Sequence, residues 1–143
     1  MAEATTPPND ADVSAWVREH FQKANKYLAE QGIIVDRVLT KRCRYLVPLV
    51  AVWRLTTQDK KEIWAINGDV PSDFVSAKVA ETARDALKHF ALQWQLRAEG
   101  IVQDPEASKD PEQQRYASFL VGRAESLYEM TEQDDLWKDE PVS

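Results

Sequence analysis

Apolar residues between Val13 and Leu28 recur every three or four positions: Val13, Trp16, Val17, Phe21, Ala24, Tyr27 and Leu28. That period predicts an amphipathic helix with one apolar stripe, in which His20 also falls. Asn9 or Asp10 supplies an oxygen for the first free N–H groups, and Gly32 ends the element because a left-handed residue costs least there. From Ile33 to Asn67 the period becomes alternating. Tyr45, Val47, Leu49, Ala51, Trp53 and Leu55 point to one face of a strand, while Leu46, Val50 and Val52 occupy the other, so part of the strand is buried on both sides. Pro48 lacks a ladder donor, which predicts an edge or a bulge at that point. Thr56 to Lys61 reads as a hairpin connection, and Glu62–Ile66 as the returning strand.

After Asn67-Gly68, the run from Val70 to Phe74 leads into a second helix, with Ser72 or Asp73 as its cap. Val79, Ala83, Ala86, Leu87, Phe90 and Trp94 form its main stripe. Leu92 and Leu96 fall on the other side, about half a turn away at ~100° per residue. Apolar residues on two sides predict that the C-terminal half is sandwiched, either between sheet and helix or at a subunit contact. Gly100 ends the helix, and residues 101–109 form a polar loop. Asp110 and Pro111 open a third helix as cap and first position, with Tyr116, Phe119, Leu120, Leu127 and Met130 as its stripe. Contiguous strands flanked by helices predict the α+β class: a small antiparallel sheet of three to four contiguous strands with an N-terminal helix and two long C-terminal helices.

At 143 residues, with 43% hydrophobic and 29% charged positions and five tryptophans, the chain has the composition of one globular domain. Residues 1–8, with Pro7-Pro8, read as a mobile leader, 9–131 as the domain, and 132–143 as an acidic, flexible tail in which Leu136-Trp137 is the segment able to dock. No apolar run approaches the roughly 20 residues of a membrane span, and the start lacks the basic and apolar regions of a signal peptide. The one cysteine, Cys43, fits a reducing compartment, so a cytoplasmic location is expected. With four glycines, two histidines and one cysteine there is no phosphate-binding loop, zinc spacing or nucleophile motif; no cofactor and no metal are expected.

The net charge of −6 is unevenly distributed: residues 1–35 carry −2, 36–62 carry +4, 63–103 carry −1 and 104–143 carry −7. A basic middle therefore faces an acidic end. Arg37, Lys41, Arg42, Arg44 and Arg54, with Lys60-Lys61, form the strongest binding-type signal. On one sheet face they would contact phosphates while Trp53 or Trp64 stacked on bases. Strand parity spreads them over two faces, however, and the acidic segment offers a simpler partner, in the same chain or in a second copy.

The stretch from Trp64 to Asp73 (Trp-Ala-Ile-Asn-Gly-Asp-Val-Pro-Ser-Asp), followed by Ala83 to Phe90 and by Trp94-Gln95, resembles the core of an uncharacterised bacterial family of small proteins, a domain of unknown function. The similarity extends from about helix one to helix three. It implies a bacterial cytosolic origin and an α+β domain standing alone, and it brings no catalytic residues with it.

Five groups are candidates for chemistry. His20, inside an apolar stripe, needs a partner; the plain account is a bond to a backbone carbonyl or a tyrosine. His89 follows Asp85 by one turn, a spacing that orients a general base and that also occurs in ordinary surface pairs. Asp69 and Asp73 bracket a turn and would serve acid/base or Mg²⁺ chemistry, although capping explains both. Cys43 lies between Arg42 and Arg44, whose charge lowers a thiol pKa only modestly if their side chains point to the opposite face, which favours a structural thiol. Arg97 and Arg123 sit in or beside apolar stripes with Glu125 and Glu129 as partners at hand.

The leading reading is a protein-interaction module, of binding, adaptor or inhibitor type, which contacts another protein or itself as a homodimer through charged and tryptophan-bearing surface, Trp137 included. The alternative is a small hydrolase or small-molecule binder at the strand-to-helix turn 67–73, using Asp69, Asp73 and His89 or His20. A nucleic-acid role through residues 37–61 comes third, and no membrane partner is expected.

Overall fold

The computed structural model describes residues 10–138. Its elements run α1 (Asp10–Glu30), β1 (Val35–Val38), β2 (Arg44–Leu46), β3 (Val50–Thr57), β4 (Glu62–Gly68), β5 (Asp73–Ser76), α2 (Ala83–Gln103) and α3 (Pro111–Thr131), with short 3-10 turns between several of them. The fold is α+β. All strand pairs are antiparallel: β3 pairs with β1, β2 and β4, and β4 also pairs with β5. β1 and β2 lie end to end along β3, because Val38 pairs with Leu55 while Arg44 pairs with Val52.

Alternation along the central strands divides the core in two. Ala51, Trp53, Leu55, Ile63 and Ala65 meet Ala24 and Leu28 of α1 on one face. Val50, Val52, Trp64 and Ile66 meet Leu87, Phe90 and Trp94 of α2 and Leu120 and Leu127 of α3 on the other. The order of layers is thus α1, sheet, then the α2–α3 pair. A two-sided sheet of this kind explains why β3 and β4 read as nearly continuous apolar runs.

The long strand expected through Tyr45–Leu55 is two strands. Val47–Leu49 form a turn with a cis Val47–Pro48 bond, and the Leu49 N–H closes onto the Leu46 carbonyl at 2.7 Å. Proline here reverses the chain instead of bulging it. Gly68 is where that turn packs: its φ is +123°, and a Cβ would lie 2.5 Å from the Leu49 oxygen, so no side chain fits.

Ser72 and Asp73 do not cap the second helix. Asp73–Ser76 pair with β4 as an edge strand, a 3-10 turn over Ala77–Val79 follows, and Thr82 caps α2 by accepting from the Asp85 N–H at 3.1 Å. Val79 consequently leaves the helical stripe for an exposed position. Gly100 does not end α2, which continues to Gln103. α3 begins as expected, with Asp110 accepting from the Glu112 N–H at 2.9 Å and Pro111 in the first turn. Asn9, one of the two expected caps, and the leader 1–8 lie outside the described residues, while Asp10 is the first residue of α1. Residues 132–138 are docked: Trp137 is buried and donates from Nε1 to the Met130 carbonyl at 2.9 Å.

Candidate functional site

Asp69 lies in the connection between β4 and β5 and Asp73 opens β5, and each is held by an arginine from the helix layer. Asp73 accepts from Trp94 Nε1 at 3.0 Å and from Arg97 Nη2 at 3.4 Å, while its other oxygen takes the Phe74 N–H at 2.8 Å. Asp69 pairs with Arg123 at 3.3 Å, and the Arg123 guanidinium lies over the Phe119 ring. The partners of Arg97 and Arg123 are therefore these two aspartates, not Glu125 or Glu129. Although partial burial opposes it, the neighbouring Tyr116 and Asp73 hold the Arg97 guanidinium charged. Asp73, its side chain 16% exposed, has its oxygens occupied by donors from its own fold, which describes a clasp between β5 and α2.

Neither histidine joins that clasp. His20 donates from Nδ1 to the Trp16 carbonyl at 2.8 Å and stacks on the Trp16 ring. That is the backbone-bonded arrangement expected of an imidazole in an apolar stripe. His89 makes no hydrogen bond or ion pair among the described residues, so the expected Asp85 partnership does not form; it sits half-buried on the outer side of α2. The acid/base grouping of Asp69, Asp73, His20 and His89 is thus dispersed over three places. No group of three His, Cys, Asp or Glu side chains suited to a metal ion occurs among the described residues.

The polar residue that sequence reasoning passed over is Asn67. It is 2% exposed, accepts from Trp53 Nε1 at 2.9 Å and donates to the His20 carbonyl at 2.7 Å, tying the end of β4 to the middle of α1. Its parity with Ile63 and Ala65 was the available signal, masked by the turn propensity of Asn-Gly.

The basic strand region is largely engaged. Arg37, Arg44 and Arg54 are paired in register with Thr56, Val52 and Trp64, which puts them on one face and not two, toward α2 and α3. Arg54 pairs with Glu62 at 3.0 Å and lies over the Trp64 ring. Arg44 donates to the Leu136 carbonyl and sits over Trp137, and Arg42 donates to the Glu81 carbonyl. Arg84 closes the same segment from α2, through Asp134 at 2.7 Å. The acidic end therefore engages basic residues of its own chain as far as Trp137. Arg37 and Lys41 remain exposed. Trp53 and Trp64 are buried at 1% and 0% exposure and are not available to stack on bases. Cys43 accepts the Arg54 N–H at 3.3 Å, and burial raises its thiol pKa, the behaviour of a structural cysteine.

A cleft of about 1010 Å³ lies at the β3–β4 hairpin end, floored by Ile33, Ile63 and Phe74 and rimmed by Lys60, Lys61 and Lys78. Its rim charges are mixed, since Arg54 is paired with Glu62 and Lys61 with Asp59.

What the fold leaves uncovered is the outer side of α2. Leu92 and Leu96 are 51% and 57% exposed, opposite the buried face that holds Leu87, Phe90 and Trp94. Val102, 60% exposed, lies toward Val121 in the groove between α2 and α3, and Tyr128 is also exposed on α3. Among the described residues sheet and α3 cover only the inner side, so the sandwich expected between sheet and helix does not form there and the expected subunit contact is the other branch.

The family model described as Domain of unknown function (DUF4826) matches residues 10–137. The chain belongs to that family. No curated protein and no solved structure matches it at a significant level. The family match spans everything from the start of α1 to the docked Trp137, so the tail contact lies within the family's domain. No described helix is long and apolar enough to cross a membrane.

Proposed function

We propose that this protein is a small bacterial, cytoplasmic protein-interaction module that acts by binding, with the outer face of α2 as its contact surface. The observation that carries the reading is the pair Leu92 and Leu96, each more than half exposed on a helix whose opposite face is fully buried. Contiguous apolar surface left in water marks sites where another surface docks. Two further features support it. The polar groups that would serve a reaction are spent on the fold, Asp69 and Asp73 on arginines and His20 on a carbonyl. The lone thiol is half-buried and hydrogen-bonded, which suits a reducing compartment.

The test is capture by the immobilised full chain from a lysate of its source cells, compared with a Leu92→Lys, Leu96→Lys double variant of unchanged circular dichroism. The wild type is expected to retain protein that the variant loses. Equal retention by both would remove the outer face of α2 from the function.

A further inference from the structure

The outer face of α2 has an order that a general sticky patch lacks. Asp85, His89, Leu92, Leu96, Glu99 and Gln103 follow one another at spacings of four, three, four, three and four residues. That is the 3.5-residue repeat of a helix-pairing seam, in which a side chain from one helix seats between side chains of its neighbour. Two leucines occupy the centre and polar residues the ends. Leu87, Trp94 and Ile101, at the heptad position farthest from this seam, face the protein interior, so the seam points away from the molecule.

We infer that α2 pairs antiparallel with α2 of a second copy of this chain. This deepens the interaction reading above and rests on it. In an antiparallel pair centred between Leu92 and Leu96, each Leu92 meets the Leu96 of the second copy. Each His89 then meets Glu99, and each Asp85 meets Gln103. Every layer is complementary: apolar against apolar, imidazole donor against carboxylate, carboxylate against amide. The parallel alternative sets Asp85 against Asp85 and Glu99 against Glu99, which like-charge repulsion disfavours. A second copy is thereby selected by the sequence of the seam itself, since the pattern is complementary to its own reverse.

Gly100 supports the same contact. It lies within α2 beside the seam, where glycine costs a helix about 1 kcal/mol relative to alanine. A Cβ there would meet nothing within 4 Å among the described residues, so no contact among them accounts for the absence of a side chain. A neighbouring helix approaching closely would use that space.

One pair of 21-residue helices is a small interface. Association on the order of 1–100 µM is expected, so the native mass must be read across concentration. Sedimentation of the full chain from about 1 to 500 µM spans that range and is expected to show the mass rising from 16.3 kDa toward twice that value. Leu92→Lys with Leu96→Lys should hold it at the monomer mass with unchanged circular dichroism. Glu99→Lys alone, and His89→Glu alone, should each weaken association by about tenfold. The two together should restore it, because the carboxylate introduced at position 89 then faces the ammonium introduced at position 99 of the other copy. In a parallel pair the double variant would be the weakest of all.

A chain that stays monomeric throughout, or a dimer indifferent to the leucine substitutions, overturns the inference. Failure of the double variant to recover overturns the antiparallel register. A monomer whose outer face still captures a different protein leaves the interaction reading standing and removes only self-pairing.

Discussion

Along α2, Leu87, Phe90 and Trp94 are fully buried, whereas Leu92 and Leu96, two positions from the nearest of them, keep more than half of their surface in water. The two sides share a helix, a cap and a backbone. They differ in what the rest of the chain supplies. The inner side meets a sheet whose Val50, Val52, Trp64 and Ile66 all point at it, and it ends in the Trp94–Asp73 bond. Among the described residues no other element covers Leu92 and Leu96 on the outer side. The contrast separates residues that make the fold from residues that the fold presents, and the second set is where the proposed interaction is to be sought.

The comparison is broken most severely from the inner side. Trp94→Ala removes a fully buried ring and the donor to Asp73, and a loss of about 3–5 kcal/mol is expected in chemical denaturation. If Trp94→Ala cost no more than a surface substitution, the inner face would not be the structural one. Asp73→Ala comes next. It strands the buried Trp94 Nε1–H and frees Arg97, and a cost of about 1–3 kcal/mol should appear as a lower denaturation midpoint with an unchanged slope.

Asp73 also shows where sequence reasoning stops. Asp110-Pro111 announced α3 because a cap and a first-turn proline act within three residues. Ser72-Asp73 offers the same local chemistry, yet Asp73 opens an edge strand whose short length carries no period, and its oxygens serve Trp94 and Arg97, more than twenty residues away. Asn67 failed for the same reason: its bonds to Trp53 and His20 depend on how β4 lies against α1, which no local pattern encodes. Trp53 and Trp64 looked available as stacking surfaces although apolar residues on both faces of β3 already pointed to two-sided burial; what parity does not reveal is how far along β3 and β4 the helices reach. Leu92 and Leu96 were visible from the start, since helical period alone places them. What the sequence left open was whether the chain itself covers them.

Titration extends the contrast between inside and outside. Burial raises the pKa of Cys43 and of Tyr45 in the strand region, so the folded state holds these protons to higher pH than the unfolded chain does. Their contribution to stability is therefore complete below the unfolded thiol value of about 8.5 and is lost as pH climbs from there toward the raised folded values. Denaturant melts at neutral and alkaline pH should show stability falling over that window, by less than either substitution above. Cys43→Ala should flatten the onset of the fall. The same burial predicts slow alkylation of Cys43 in the native protein and fast alkylation in denaturant.

The smallest effect on folding is expected on the outer face, and its dependence on concentration gives it meaning. Leu92→Ala and Leu96→Ala remove side chains that touch little within the protomer, so in dilute solution each should shift stability by no more than about 0.5 kcal/mol. If two copies pair through this face, the wild type gains stability by mass action as its concentration rises, while the variants do not. Melting temperatures measured at low and high protein concentration should therefore diverge between wild type and variant only at the high end. A constant difference at all concentrations would mean that the leucines stabilise the single chain after all. The outer face of α2 would then be a second structural face and not a presented one.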